Sequence, residues 1–300
     1  MSESGENEAR VPGAESGTRV ALVNGESALQ VSLFDRALQY GDGLFRTVLV
    51  DQGAALNLNR HLKHIQHGCQ VLGIDSPHGF RETIARETEE LCEQRKTAIL
   101  KIVVTRGQGG RGYAPTVTSG PTRILAVSAA PSHPPGLWEK GVKIRLCRTP
   151  AAENTALAGI KHLNRLPQVL ARGEWKDPEI FEGLMSDSGG NLVGGTMSNI
   201  LAVQRGCIYT PALDAAGVAG TQREQVLETA EKAGYGISRG HWPPEFYACA
   251  EEVFLTNAVL GILPVQSIED EPVAHAPGPV TRHLMGLVPH PRHNIIGLAP

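Results

Sequence analysis

LAGIKHLNRLPQVLARGE, residues 157–174, holds a single lysine, Lys161, between an apolar, glycine-containing approach and a polar exit through His162, Asn164 and Arg165. A long helix cannot run through Gly159 without loss. Asn164 reads as the cap of the following helix, LPQVLARGE, with Pro167 tolerated in its first turn. Lys161 is therefore expected at an extended strand end just before a helix, where a side chain can point into a cleft. An amine held there is partly desolvated, its pKa falls, and it can form a Schiff base or shuttle a proton. On position alone, an ordinary surface charge stays open.

Outward from this stretch, apolar runs predict strands at VALVNG (20–25), RTVLVDQ (46–52), AILKIVVTR (98–106) and RILAVSAA (123–130). NRHLKHIQHGCQVLGI predicts a helix, since Leu62, Ile65, Cys69 and Leu72 recur at steps of three and four, with Asn59 as its cap; a second helix is expected over about 79–95. PSHPPG (131–136) places three prolines in six residues and marks a linker between a smaller N-terminal domain (19–130) and a larger one (137–270). Beyond it come VKIRLCRT, FEGLMSD, NILAVQ, CIYT, a helix TQREQVLETAEKAG, and strands EEVFLTN and GILPVQSI. Strands outnumber helices in both halves, which predicts a mixed α/β fold rather than a doubly wound array. Residues 1–18 are polar and acidic and read as a disordered tail, with 271–300 ordered in part.

With 28 Lys+Arg against 31 Asp+Glu among 300 residues and no long basic run, nothing points to nucleic acid or an anionic membrane. Five scattered cysteines without a CxxC fit neither a disulfide framework nor a zinc site, and suit reduced thiols in the cytoplasm; no segment resembles a signal peptide or membrane span. GQGGRG (107–112) matches GxGxxG, but YAPTVTSGP follows where a dinucleotide fold needs a helix. It reads as a glycine-rich hairpin, or as a loop whose Arg106, Arg111 and Tyr113 present cations and a phenol to an anionic ligand. His61, His64 and His67 do not share one helix face, since the third is rotated about 240° from the first; they predict a solvated face and no metal site.

LAGIKHLNR, together with RALQYGDGLFRT (36–47), VTRGQGGRGYAP (104–115), GTMSN (195–199), YTPALDAAGVAG (209–220) and TNAVLGILPV (256–265), resembles in order and spacing the 4-amino-4-deoxychorismate lyases. These are fold-type IV pyridoxal-phosphate enzymes, related to the D-amino acid and branched-chain aminotransferases, and the resemblance covers about residues 20–270. It implies a homodimer of two-domain α/β subunits with the cofactor in the cleft between domains. It also implies that Lys161 is the Schiff-base lysine and proton shuttle, eliminating pyruvate from the chorismate-derived substrate to leave 4-aminobenzoate for folate synthesis. His64, Asn199, Gly220, Thr221, Thr256 and Asn257 would surround the cofactor, and Arg106, Arg111 and Tyr113 would face the substrate carboxylates.

The chain departs from the family pattern at the cofactor. Gly194 stands where the family has a glutamate for the pyridine nitrogen, His64 where it has an arginine for the phosphate, and TQR (221–223) where a small apolar pair usually precedes the arginine. Arg46, where relatives often carry a neutral or acidic residue, would replace the lost phosphate charge. Two further readings follow from these departures: a cofactor-independent lyase with Lys161 as general base, and a silent binding paralogue.

Overall fold

The computed structural model describes residues 20–116 and 120–293; the tail expected over 1–18 and the end of the C-terminal segment lie outside them. The first half forms a six-stranded sheet: β1 (Val20–Val23), β2 (Glu26–Ser27), β3 (Gly43–Asp51), β4 (Ala54–Ala55), β5 (Thr97–Thr105) and β6 (Thr122–Ala129), in the order β2-β1-β6-β5-β3-β4. A short helix, α1 (Arg36–Tyr40), precedes β3, and α2 (Leu58–Leu72) and α3 (Phe80–Cys92) are the two expected helices. β3 and β5 pair antiparallel from Gly43 opposite Thr105 to Asp51 opposite Thr97. Ala98, Leu100, Ile102 and Val104 alternate inward along β5 and share a core with Leu62, Ile65 and Cys69 of α2, as the period-two and period-3.6 patterns require.

The second half is a nine-stranded mixed sheet. Its strands are β7 (Val142–Leu146), β8 (Ile180–Ser186), β9 (Leu192–Gly195), β10 (Asn199–Gln204), β11 (Cys207–Pro211), β12 (Gly236–Gly240), β13 (Glu252–Asn257), β14 (Gly261–Ile268) and β15 (Glu271–Pro272). They run in the order β12-β11-β10-β13-β14-β7-β8-β9, with β15 on β14. Around it lie α4 (Gly136–Lys140), α5 (Leu166–Arg172), α6 (Thr221–Lys232), α7 (Pro244–Ala248) and α8 (Pro279–Leu287). Its core is a separate cluster that includes Trp138, Phe254, Tyr247 and Leu284. The proline-rich stretch 131–136 falls between β6 and α4, where the chain passes from one sheet to the other.

Two expected caps differ. Asn57, not Asn59, stands before α2, in a left-handed conformation, and its amide donates to Gln225 Oε1 (2.8 Å) on α6 instead of capping its own helix. Arg165, not Asn164, is the cap residue of α5; the Asn164 amide reaches back to Gly41 O (3.4 Å). Both asparagines join distant segments. Arg60 of α2 adds ion pairs to Glu224 (3.2 Å) and Glu228 of α6, so α2 and α6 are held together across the two sheets. All five cysteines are free, and among the described residues no helix is long and apolar enough to cross a membrane.

Candidate active site

Residues 159–163 form a strap with one wall on each side. Ala219 N donates to Gly159 O (2.9 Å) and Gly159 N to Gly217 O (3.1 Å); on the opposite side Phe45 N donates to Lys161 O (2.9 Å) and Leu163 N to Gly43 O (2.9 Å). Gly159 has φ +77°, where a side chain would be strained. The glycine that forbids a helix thus also turns the chain so that Lys161 stands between β3 and the loop leading into α6.

The Lys161 ammonium lies 4.6 Å from the centre of the Phe45 ring. A ring face favours the charged form, yet the pKa is pushed down to about 8, first by burial and then by the charges of Arg165, Arg46 and Lys101. About a tenth of the amine is neutral at pH 7, against roughly three in ten thousand for a solvated lysine. This is a buried, partly neutral amine rather than a surface charge.

Around the lysine, Asn199 at the start of β10 faces Thr256 on β13, and its amide donates to Val218 O (2.8 Å). Its Oδ1 lies so close to Gly220 that a Cβ there would meet it at 2.1 Å, so any side chain at the start of α6 would push the Asn199 amide out of place. Thr221, the next residue, sets its hydroxyl 3.3 Å from His61 Nδ1. His61 is buried, contrary to the solvated face expected for the three histidines, and burial with Arg46 nearby lowers its pKa to about 3, so it stays neutral. His64 faces Glu224 (3.3 Å), and burial and Arg46 lower its pKa against the pull of that carboxylate. Among the described residues no cluster of acidic, cysteine or histidine side chains is arranged to hold a metal ion.

Other expected residues are placed differently. Arg106 sets Nε on Asp42 (2.8 Å) and one N–H of each terminal nitrogen on Gly73 O and Leu72 O (both 2.6 Å), so three of its five donors fasten the end of β5 to the end of α2. Arg111 and Tyr113 sit on an exposed loop clamped by Arg36, which donates to Gly112 O and Tyr113 O; Tyr113 packs edge-on against Tyr40. Asn257 spends its Oδ1 on Val259 N and Leu260 N, closing the turn after β13. Arg223 binds Thr210 Oγ1 and Pro211 O, tying α6 to β11.

The residues fit pyridoxal phosphate at one end and depart from it at the other. Near α6, the buried Arg46 Nε, Gln222 Nε2 and Thr256 Oγ1 have no hydrogen-bond partner among the described residues, which is costly unless a ligand supplies one. Toward β9, no carboxylate stands at Gly194. Glu182, on the neighbouring strand β8, is fully buried and spent: it accepts from Gly183 N (3.0 Å), Thr196 N (3.1 Å), Thr196 Oγ1 (2.6 Å), Met197 N (3.1 Å) and Ser198 Oγ (2.8 Å). Sequence reasoning passes over Glu182 because all its partners but Gly183 lie in a turn more than a dozen residues away.

The profile of the family described as amino-transferase class IV matches residues 43–268. The aminodeoxychorismate lyase of Vibrio harveyi is 32% identical over 266 residues, covering 88% of this chain and 97% of the relative. The crystal structure of 4-amino-4-deoxychorismate lyase from Pseudomonas aeruginosa superposes with a TM-score of 0.82 at 41% identity, over 88% of this chain and 96% of that one. The branched-chain amino acid aminotransferase from Escherichia coli shares the fold, with a TM-score of 0.77 at 20% identity over 89% and 92% of the two chains.

Proposed function

We propose that this chain, which belongs to the amino-transferase class IV family, is an aminodeoxychorismate lyase that converts 4-amino-4-deoxychorismate to 4-aminobenzoate and pyruvate. The observation that carries the reading is the partly desolvated amine of Lys161, with a pKa near 8, on a strap hydrogen-bonded to both halves of the molecule. Relatives that the chain covers almost end to end bear the name of this activity.

Pyridoxal phosphate, when bound, supplies an electron sink conjugated to the substrate nitrogen. Thr221 and the first N–H groups of α6 would hold its phosphate, because a helix N-terminus offers unpaired donors and a favourable dipole. Lys161 would hold its aldehyde carbon. The chain's own chemistry is proton transfer: once free, the Lys161 amine takes the proton from the ring carbon bearing nitrogen. The adjacent C–O bond then breaks, enolpyruvate departs, and the ring becomes aromatic. Lys161 can return its proton to the departing enolate carbon, giving pyruvate. Its lowered pKa suits both directions, since a base poised near neutral pH exchanges a proton at least cost.

A homodimer fits the surface. Leu33, Phe34 and Leu38 around α1, and Leu166, Val169 and Leu170 on α5, are large apolar side chains left exposed, and a second copy is the partner we assign to them. In such a dimer the exposed loop with Arg111 and Tyr113 would be free to reach substrate carboxylates. We take the two cores as two domains and, from the free thiols, place the protein in the cytoplasm.

The test is pyruvate release from 4-amino-4-deoxychorismate, followed with lactate dehydrogenase and NADH. Wild type should turn over, and Lys161→Ala should fall below a few per cent of it. Turnover by the variant near the wild-type rate would refute the role of the lysine.

A further inference from the structure

Arg46 breaks the pattern of its own strand. Along β3, Leu44, Val48 and Val50 share its face and are all buried apolar residues of the N-terminal core, and Arg46 sits among them only 3% exposed. A charge on the core face of a strand is expensive unless paired. Yet among the described residues no carboxylate lies within ion-pair distance: the hydrogen bond it makes there runs from Nη1 to Ala219 O (3.3 Å), and Nε has no partner. Glu224, the acidic residue whose charge reaches it, is already engaged by Arg60 and His64. A buried cation without a counter-ion is a site waiting for an anion.

A second, independent feature aims at the same place. Ala219, which Arg46 touches, immediately precedes Gly220 and α6, a helix of 12 residues with no side-chain cap at its N-terminus. Gln222, in its first turn, is 1% exposed and its Nε2 is unpartnered. A cavity of about 320 Å³, lined by His64, Ala219, Gly220, Arg223 and Glu224 among others, opens beside this turn. The first turn of α6 thus carries an orphan amide and is met at Ala219 by an orphan guanidinium, while His64, which lines the cavity, is turned to Glu224.

We propose that Arg46 and Gln222 together form the phosphate-binding contacts of this site, so that the phosphate's cation comes from strand β3 and not from position 64 on α2. The proposal rests on the reading above that the chain carries pyridoxal phosphate, and it gives Arg46 a buried counter-ion only in the loaded protein. A burial cost accepted without the anion is the mark of a binding residue, because a purely structural arginine would already have its partners.

The experiment uses the full-length chain freed of cofactor. Melting temperature is read with and without inorganic phosphate, and dissociation constants for pyridoxal phosphate and for unphosphorylated pyridoxal are read from visible absorbance titrations. Arg46→Met should abolish the rise in melting temperature with phosphate and weaken pyridoxal phosphate by about ten- to a hundredfold, the worth of a charge-assisted contact. Pyridoxal affinity should stay unchanged, and the anion-free protein should melt no lower than wild type, since an unpaired buried charge has been removed. Gln222→Leu should weaken pyridoxal phosphate several-fold, and His64→Ala by less than twofold. If Arg46→Met keeps the phosphate-induced rise and the wild-type preference for pyridoxal phosphate over pyridoxal, the proposal falls. It falls equally if Arg46→Met melts lower, or fails to fold, while Gln222→Leu binds as wild type. Absence of pyruvate release with these shifts intact would count against the lyase reading alone; full turnover with wild-type cofactor affinity in Arg46→Met would count against this proposal alone.

Discussion

Replacing Lys161 by methionine should make the cofactor-free protein more stable while it destroys turnover. Methionine keeps the length and apolar stem and removes the charge. Its burial lowers the lysine pKa from 10.5 to about 8, and at about 1.4 kcal/mol per decade this is a cost of about 3 kcal/mol in the folded state. The Phe45 ring at 4.6 Å returns part of that, about 0.5–2 kcal/mol. A net gain of about 1–3 kcal/mol is therefore expected for Lys161→Met at pH 7. The sign follows from proton counts: below pH 8 both states hold the proton and the folded state bears the full penalty, whereas between 8 and 10.5 only the unfolded state keeps it, so wild-type stability climbs with pH. The variant's advantage should shrink across that window and vanish above it. Urea unfolding of both proteins at pH 7, 9 and 10.5 measures this directly. A variant less stable than wild type at pH 7, or an advantage independent of pH, would show that the amine is not held against its charge and would remove the physical basis for its reactivity.

Three further outcomes follow from the structure. Glu182→Ala removes the acceptor that five N–H and O–H donors share, Thr196 N keeping a second one in Gly183 O, and should cost about 3 kcal/mol or more, read as a lowered urea midpoint; a shift below about 1 kcal/mol would refute that role. Gly220→Ala drives a Cβ to 2.1 Å from Asn199 Oδ1 and should lower cofactor affinity at least tenfold in an absorbance titration, whereas Gly234→Ala, with open space around it but φ +88°, should only modestly lower the melting temperature. His293 accepts from Ile262 N (2.8 Å) through Nε2, and burial lowers the pKa values of His290 and His293 to about 3 and 4. Protons then bind the unfolded chain first as pH falls below 6.5, so stability should drop by about 2–4 kcal/mol by pH 5, and the double change to glutamine should flatten that slope.

Periodicity carried the fold further than it carried the site. The mixed α/β class, strands β1, β3, β5 and β6 of the first sheet, and helices α2, α3 and α6 follow from alternation and 3.6-residue spacing, because those elements each bury one face against a single core; the two-residue strands β2 and β4 do not. The short elements α1, α4 and α7 and the strands β9 and β12 have too few residues for a period to emerge; β9, LVGG, owes its place to pairing with β8. At the site, the setting of Lys161 is legible because Gly159 and Pro167 are local constraints. Arg106 is not, since its competition between a substrate and the carbonyls of Leu72 and Gly73 depends on where α2 ends in space. The burial of His61 is hidden for the same reason: its helix has a second neighbour, α6, which no pattern within α2 announces.

The same competition explains why Gly194 cannot be read as an empty socket for a carboxylate. A Cβ at Gly194 would meet Ser198 O at 3.1 Å, and one at Gly195 would meet Ser198 Oγ at 2.4 Å and Glu182 at 2.7 Å. The turn 195–198 has closed onto β9, with Glu182 gathering its N–H groups and hydroxyls from behind. A glutamate at 194 would have to displace the Ser198 carbonyl by a few tenths of an ångström before its carboxylate could be placed. With pyridoxal phosphate bound as proposed and no charged partner at its ring nitrogen, the electron sink would be weaker, and a reaction that depends wholly on that sink would suffer most. Elimination to an aromatic ring draws much of its driving force from the product, which, under the proposed role of Lys161, leaves proton transfer as the step the protein has to make easy. On that view the loss at Gly194 and the retention of a buried amine with a pKa near 8 are consistent with one reaction, in which the base matters more than the sink.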